Sequence, residues 1–223
     1  DPGKKRANNE DAYLVNDKLG LYAVADGVGG SEAGEVASRI AVETLAEAMP
    51  DLLGDKDRTP PSEVRSSDVP ELAAFRHAVT LANRNIHDEA EKNTGRTGMG
   101  TTLTALLLAR QRAFLVHIGD SRAYLGEGGG EITQLTTDDS LVQRLLSANQ
   151  ITPEEARHHP KRSVILRALG SGAFKPPEVI TRELFLGERL LLCSDGLSSM
   201  LDDTIIARLA SPDESVTPHD ACG

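Results

Sequence analysis

Residues 21–30 read LYAVADGVGG, an apolar run of strand character that stops on one carboxylate, Asp26, followed by three glycines in four positions. An isolated charge at the end of a core strand must be exposed, paired or bound to a cation, because burying it alone is too costly. The same pattern of an apolar run closed by an acid recurs three times. NNEDAYLV carries Glu10 and Asp11, FLVHIGDSRAYL carries Asp120, and RLLLCSDGLSSM carries Asp195. An Asp-Gly pair taken alone is an ordinary turn signal, but four strand-end acids in one chain form a pattern.

If those strand ends meet at one edge of a sheet sandwich, their carboxylates crowd together. Each pair at 4 Å then costs about 4 kcal/mol at an effective dielectric near 20, so the cluster requires cations. Ligands that are all oxygen, with no Cys or His in the motifs, favour hard divalent ions, Mn²⁺ or Mg²⁺, over zinc. Gly27 and Gly196 directly follow their aspartates and are expected to let a backbone carbonyl or a ligand approach closely. Arg6, five residues before Asp11, offers a planar fork suited to a phosphate oxyanion, although on spacing alone an ordinary exposed arginine near a chain end is the stronger reading.

Composition narrows the class. The 223 residues can bury a sizeable core and are read as one domain over 1–223. With 24 basic and 34 acidic residues the formal charge is −10, which argues against a nucleic-acid or anionic-membrane binder. Two cysteines, Cys193 within LLLCS and Cys222 near the chain end, fit a reducing, cytoplasmic setting. No apolar run is long enough for a membrane span, and the opening DPGKKRANNED has no signal-peptide core.

Strand patterns fall at about 12–16, 19–26, 101–109, 112–118, 121–125, 131–135, 179–186 and 188–194, most joined by short turns. Helical spacing of apolar residues predicts helices over about 33–49 and 70–92, separated by a Pro- and Ser-rich surface loop at 54–70. A helical patch covers about 138–169 and a last helix follows the final strands. Tightly linked strands with helices in separate blocks indicate an α+β fold with antiparallel sheets.

Six blocks in order, RANNEDA at 6–12, VADGVGGSEAGEVAS at 24–38, GMGTT at 98–102, HIGDSRAYL at 117–125, LTTDDSLV at 135–142 and LLCSDGL at 191–197, resemble the bacterial form of the metal-dependent protein phosphatases of the PPM or PP2C type. The resemblance implies a four-layer αββα sandwich of two antiparallel sheets flanked by helices, with a small flap subdomain at about 138–169. It also implies hydrolysis of phosphoserine and phosphothreonine in proteins by metal-activated water at a binuclear Mn²⁺ or Mg²⁺ centre, with a third, weaker site. By motif, Asp26 resembles the carboxylate bridging both metals and Gly27 the residue lending its backbone carbonyl. Asp195 resembles a terminal ligand, Glu10 and Asp11 the acidic pair that orients metal-bound waters or reaches a metal, and Asp120 the residue that joins Asp195 at the third site. Arg6 occupies the place of the phosphate-binding arginine. Phosphorylated proteins, Ser/Thr kinases and the substrates of those kinases are the implied partners of a monomeric enzyme. GMGTT and His117 are read as structural.

Three departures qualify the resemblance. Val28 stands where eukaryotic members carry a histidine proposed as general acid, and Asp139 replaces the histidine of the usual DHS motif. No Asp-Asn-x-Thr block, which in the family supplies a further metal-binding Asp and a closing strand, follows the last helix. The expectation is that the displayed chain stops before that block; the alternative is a pseudophosphatase, a module that binds phosphoproteins or a kinase without turnover.

Overall fold

The structure, a computed structural model, describes residues 9–54, 69–93, 96, 98–127, 131–172 and 174–210. The loop expected at 54–70 lies almost wholly outside the described residues, as do Arg6 and Cys222. One sheet contains β1 (Asp11–Asn16), β2 (Leu21–Val28), β3 (Gly100–Thr101), β4 (Leu103–Ala109), β5 (Arg112–Ile118) and β8 (Ile180–Glu183). Its order is β1-β2-β4-β5-β8, with β3 alongside β2. The second sheet joins β7 (Glu131–Gln134), β6 (Arg122–Glu127) and β9 (Arg189–Cys193) in the order β7-β6-β9. All of these strand pairings are antiparallel.

Side-chain alternation along the strands builds the layers. Leu21, Ala23 and Ala25 of β2, Leu103, Ala105 and Leu107 of β4, and Phe114, Val116 and Ile118 of β5 share one core with α1 (Ser31–Gly54) and α2 (Pro70–Lys92). The intervening residues Leu106, Ala113 and Leu115 face the second sheet, where Ala123, Leu190 and Leu192 meet them. The far face of that sheet, through Tyr124, Leu191 and Cys193, packs on Ile206 of α6 (Asp203–Ala210). The result is the expected succession of helices, sheet, sheet and helix, with α6 forming the outer layer on the second side among the described residues. Each wholly buried leucine contributes about 1.5–3 kcal/mol.

Helix α1 runs past the boundary expected at Met49. Pro50 lies inside it and forfeits one backbone bond, but Leu52 and Leu53 in the next turn pack on the core and carry the helix on to Gly54. Helix α2 matches its expected range, and Pro70 opens it at a position where a missing N–H costs nothing. The patch at 138–169 holds only two short helices, α3 (Leu141–Ser147) and α4 (Pro153–Arg157), with α5 (Asp195–Ser198) following β9. On β1, Tyr13 and Val15 point away from the helices and are 77% and 62% exposed, and among the described residues β9 pairs with β6 alone.

Candidate active site

Parity decides where the acids point. Residues 21, 23 and 25 of β2 enter the helix-side core, so Asp26 projects from the opposite face, toward the second sheet. Residues 12 and 14 of β1 likewise pack on the helix side, which leaves Asp11 on the face of Asp26, its direct cross-strand partner. Like charges so placed repel. From the second sheet, Asp120 stands just ahead of β6 and Asp195 just beyond β9, adjacent strands in which Arg122 pairs with Cys193. Four residues separated by up to 184 positions therefore meet where the two sheets face each other.

The electrostatics record that meeting. The Asp26 carboxyl is pushed up to about 8, first by burial and then by the charges of Asp11 and Asp195, by a side-chain hydrogen bond with Asp195, and by Asp120. Asp120 is pushed up to about 6 by burial, Asp195 and Asp138, with Arg122 opposing. Asp11 Oδ2 accepts a hydrogen bond from Ser194 Oγ at 3.2 Å. Glu10 enters through its backbone carbonyl, which accepts from Gly27 N–H at 3.0 Å.

Arg122 acts on Asp120, but its charge is committed to Asp138. Its Nε and Nη2 donate to both oxygens of Asp138, at 2.9, 3.2 and 2.8 Å, and its Nη1 reaches the Tyr124 hydroxyl at 3.1 Å. Gln134 Nε2 also donates to Asp138. Among the described residues the charges that act on Asp26 are all carboxylates, and their oxygen-only donor set suits a hard divalent cation. Among the described residues no three carboxylates are drawn tightly enough together to enclose an ion. The arrangement is an open ring of acids around Asp26, which fits Mn²⁺ or Mg²⁺ in donor chemistry.

The structure bears out the expected close approach of a backbone carbonyl at Gly27 but not at Gly196, and it gives GMGTT a definite structural role. A Cβ on Gly27 would stand 2.1 Å from the Gly34 carbonyl oxygen, so this glycine is required because the first turns of α1 press on β2 backbone to backbone. At Gly196 the corresponding contact, 3.5 Å to Ser194 Oγ, is ordinary, and packing there does not demand a glycine. GMGTT, read as structural, holds the backbone of the site. Thr102 Oγ1 accepts from Asp26 N–H at 2.9 Å and meets Ser121 Oγ at 2.7 Å. Thr101 Oγ1 and Thr102 N–H both donate to the Asp26 carbonyl. Both threonines are fully buried and clamp the backbone that carries Asp26. The adjacent Thr-Thr pair at a strand entrance was the available signal. Asp138 was also missed, although it lies in a recognised block.

His117 behaves as a strand residue. Its Nδ1 lies 3.0 Å from Thr104 Oγ1 and its Nε2 lies 3.1 Å from the Thr137 carbonyl, and burial pushes its imidazole below the usual range. Asp139, in the place of the expected histidine, accepts from Gly119 N–H at 3.2 Å and pairs with Arg167 at 3.3 Å, tying the base of the flap to the loop that presents Asp120. Between the flap and the segment after β9 lies a cleft of about 700 Å³ with Asp120, Asp138 and Asp195 in its lining.

A family model described as protein phosphatase 2C matches residues 4–216, and the chain belongs to that family. The chain is 44% identical over 220 residues to the serine/threonine protein phosphatase PstP of Mycobacterium tuberculosis, covering 98% of this chain and 39% of that protein. It thus spans about two fifths of that relative's length. It is 38% identical over 216 residues to the protein phosphatase PhpP of Streptococcus pneumoniae, covering 96% of this chain and 82% of the relative. A crystal structure of the catalytic domain of PstP in complex with two manganese ions superposes with a TM-score of 0.78 at 41% identity, covering 98% of this chain and 83% of that one. Stp1 of Staphylococcus aureus superposes at 0.80 with 30% identity, covering 100% and 84%.

Proposed function

We propose that this chain is a single catalytic domain that hydrolyses phosphoserine and phosphothreonine in proteins with two Mn²⁺ or Mg²⁺ ions. The observation that carries the reading is the convergence of Asp11, Asp120 and Asp195 on Asp26. The names of the relatives and the two manganese ions in the PstP catalytic domain support it. Bound there, two divalent ions supply neutralisation of phosphoryl charge and lower the pKa of water toward neutrality.

The chain's own contributions are assigned by motif, with the placement above in support. Asp26, the Gly27 carbonyl and Asp195 would hold the two ions, Asp11 and Glu10 would orient water, and Asp120 with Asp195 would hold a third, weaker one. Thr101 and Thr102 fix the backbone of Asp26 through the bonds described above. Arg6 is assigned by motif alone to hold the phosphate. Partners are phosphoproteins, with Ser/Thr kinases and their targets as the expected source, and the chain is proposed to act as a cytoplasmic monomer. No helix among the described residues is long and apolar enough to cross a membrane.

A phosphothreonine peptide incubated with the protein and Mn²⁺ tests the reading. Phosphate release well above that of Asp26→Asn supports it, whereas equal release from both, or none, ends it.

A further inference from the structure

The flap wall of the cleft carries a run that the proposed chemistry leaves unused: Arg157-His158-His159-Pro160-Lys161-Arg162, with no acid among its six residues, in a chain of formal charge −10. Its conformation is set by local hydrogen bonds. Thr152 and Glu155 form a capping box that opens α4 and places Arg157 in its last turn. His159 N–H then donates to the Ala156 carbonyl at 3.2 Å and Arg162 N–H to the His159 carbonyl at 3.1 Å, while Lys161 N–H donates to His159 Nδ1 at 3.1 Å. Buried Ala156 anchors the turn beneath.

Arg157, His158 and Arg162 line the same cleft as Asp120 and Asp195. His158 pairs with Glu154 at 3.3 Å, whereas Arg157, Lys161 and Arg162 are exposed and have no ion-pair partner among the described residues. The opposite wall is acidic: Asp202 caps the turn into α6 by accepting from Ile205 N–H at 3.0 Å, and Asp203 follows in the first turn. The cleft is therefore polarised, cationic on the flap side and anionic on the α6 side, and it opens onto the acids assigned to catalysis.

We propose that Arg157 and Arg162 select phosphoproteins that carry a second anionic group, a phosphate or a carboxylate, beside the residue to be hydrolysed. The inference rests on the phosphatase reading for its substrate and on the flap's charge for its specificity. Guanidinium groups on a fixed turn match either anion through paired N–H donors. The chain's overall negative charge disfavours a long polyanion and leaves a short anionic segment as the ligand that fits.

The test uses phosphothreonine peptides that differ at one position, placed two to four residues to either side and occupied by phosphoserine, Glu or Gln. With Mn²⁺ the anionic peptides are expected to show a KM about three- to tenfold below that of the Gln peptide, the scale that two exposed charge pairs supply, with kcat little changed and the advantage shrinking in added salt. Equal gains for phosphoserine and Glu assign the site to negative charge in general, and a gain for phosphoserine alone assigns it to phosphate. In Arg157→Ala/Arg162→Ala the ratio between anionic and neutral peptides falls toward one, and Arg157→Lys/Arg162→Lys restores part of it. Equal KM for all peptides on the parent protein, or an advantage that survives the double Ala variant, overturns the proposal. Should no peptide be turned over, the phosphatase reading fails by itself. Fluorescence anisotropy of the labelled doubly phosphorylated peptide then decides this inference: tighter binding to the parent than to the double Ala variant supports it, and equal binding, or displacement by a single-stranded oligonucleotide at equal phosphate concentration, overturns it.

Discussion

Replacing Asp26 with Asn separates the two consequences of crowding acids, destabilisation without metal and affinity with it. In the metal-free fold the Asp26 carboxyl is raised from 3.8 to about 8, so between those values the folded chain keeps a proton that the unfolded chain releases. The sign follows by linkage: this group's contribution to stability is complete below about pH 4 and drains away as pH rises through about 8. At pH 7.5 the loss is on the order of 5 kcal/mol if Asp26 titrates alone, and smaller where Asp195 shares the proton. Asn keeps the size and removes the titration. Metal-free Asp26→Asn should match the parent near pH 4.5 and exceed it at pH 7.5 by several kcal/mol, which is about 10 °C in Tm for a chain of this size. Saturating Mn²⁺ should close that gap, because each ion present at about 100 times its Kd adds about 2.7 kcal/mol to the parent and two together offset a loss on the order of 5 kcal/mol. Thermal unfolding followed by circular dichroism, with chelator and with Mn²⁺ at both pH values, reads all of this. Parallel pH profiles for the two metal-free proteins would refute the reasoning.

Other expectations concern what holds the acids in place. Thr102→Val removes the acceptor of Asp26 N–H and the partner of Ser121 Oγ; it should cost about 1–3 kcal/mol in urea unfolding and reduce phosphatase activity. Gly27→Ala drives a methyl into the Gly34 carbonyl, and should cost several kcal/mol or block folding, read as Tm and soluble yield. Arg122→Ala leaves Asp138 buried without its bidentate partner, and should cost about 3–5 kcal/mol. The double variant Arg122→Ala/Asp138→Asn should recover part of that loss, a coupling measurable by a double-mutant cycle in denaturant.

Period and punctuation were enough for the architecture. The near-continuous apolar runs LTALLLA and RAFLVHI mark both faces of two central strands as apolar, a pattern that fits a sheet covered on each side, and both are so covered. The strand-end acids were also legible, because an aspartate directly after an apolar run is conspicuous. What closed them into one site was not, since the neighbouring placement of β6 and β9 and the facing of the two sheets are long-range arrangements without a local signature. Gly27 was expected to admit a backbone carbonyl or a ligand, but a sequence cannot name the neighbour that comes close, Gly34. Thr101 and Thr102 were read as structural without their partners, because a hydroxyl reveals its partner only in three dimensions. Asp138 escaped notice for the same reason: its neighbour Asp139 drew attention by departing from the familiar motif, while the partner of Asp138, Arg122, lies sixteen residues away. Helix α1 overran Pro50 because two leucines beyond it found the core.

The central claim is that divalent ions sit among Asp11, Asp26, Asp120 and Asp195. Crystals soaked in Mn²⁺ and measured at the manganese absorption edge test it directly: two strong anomalous peaks sharing Asp26 are the predicted result, and peaks elsewhere on the surface, or none, would contradict it.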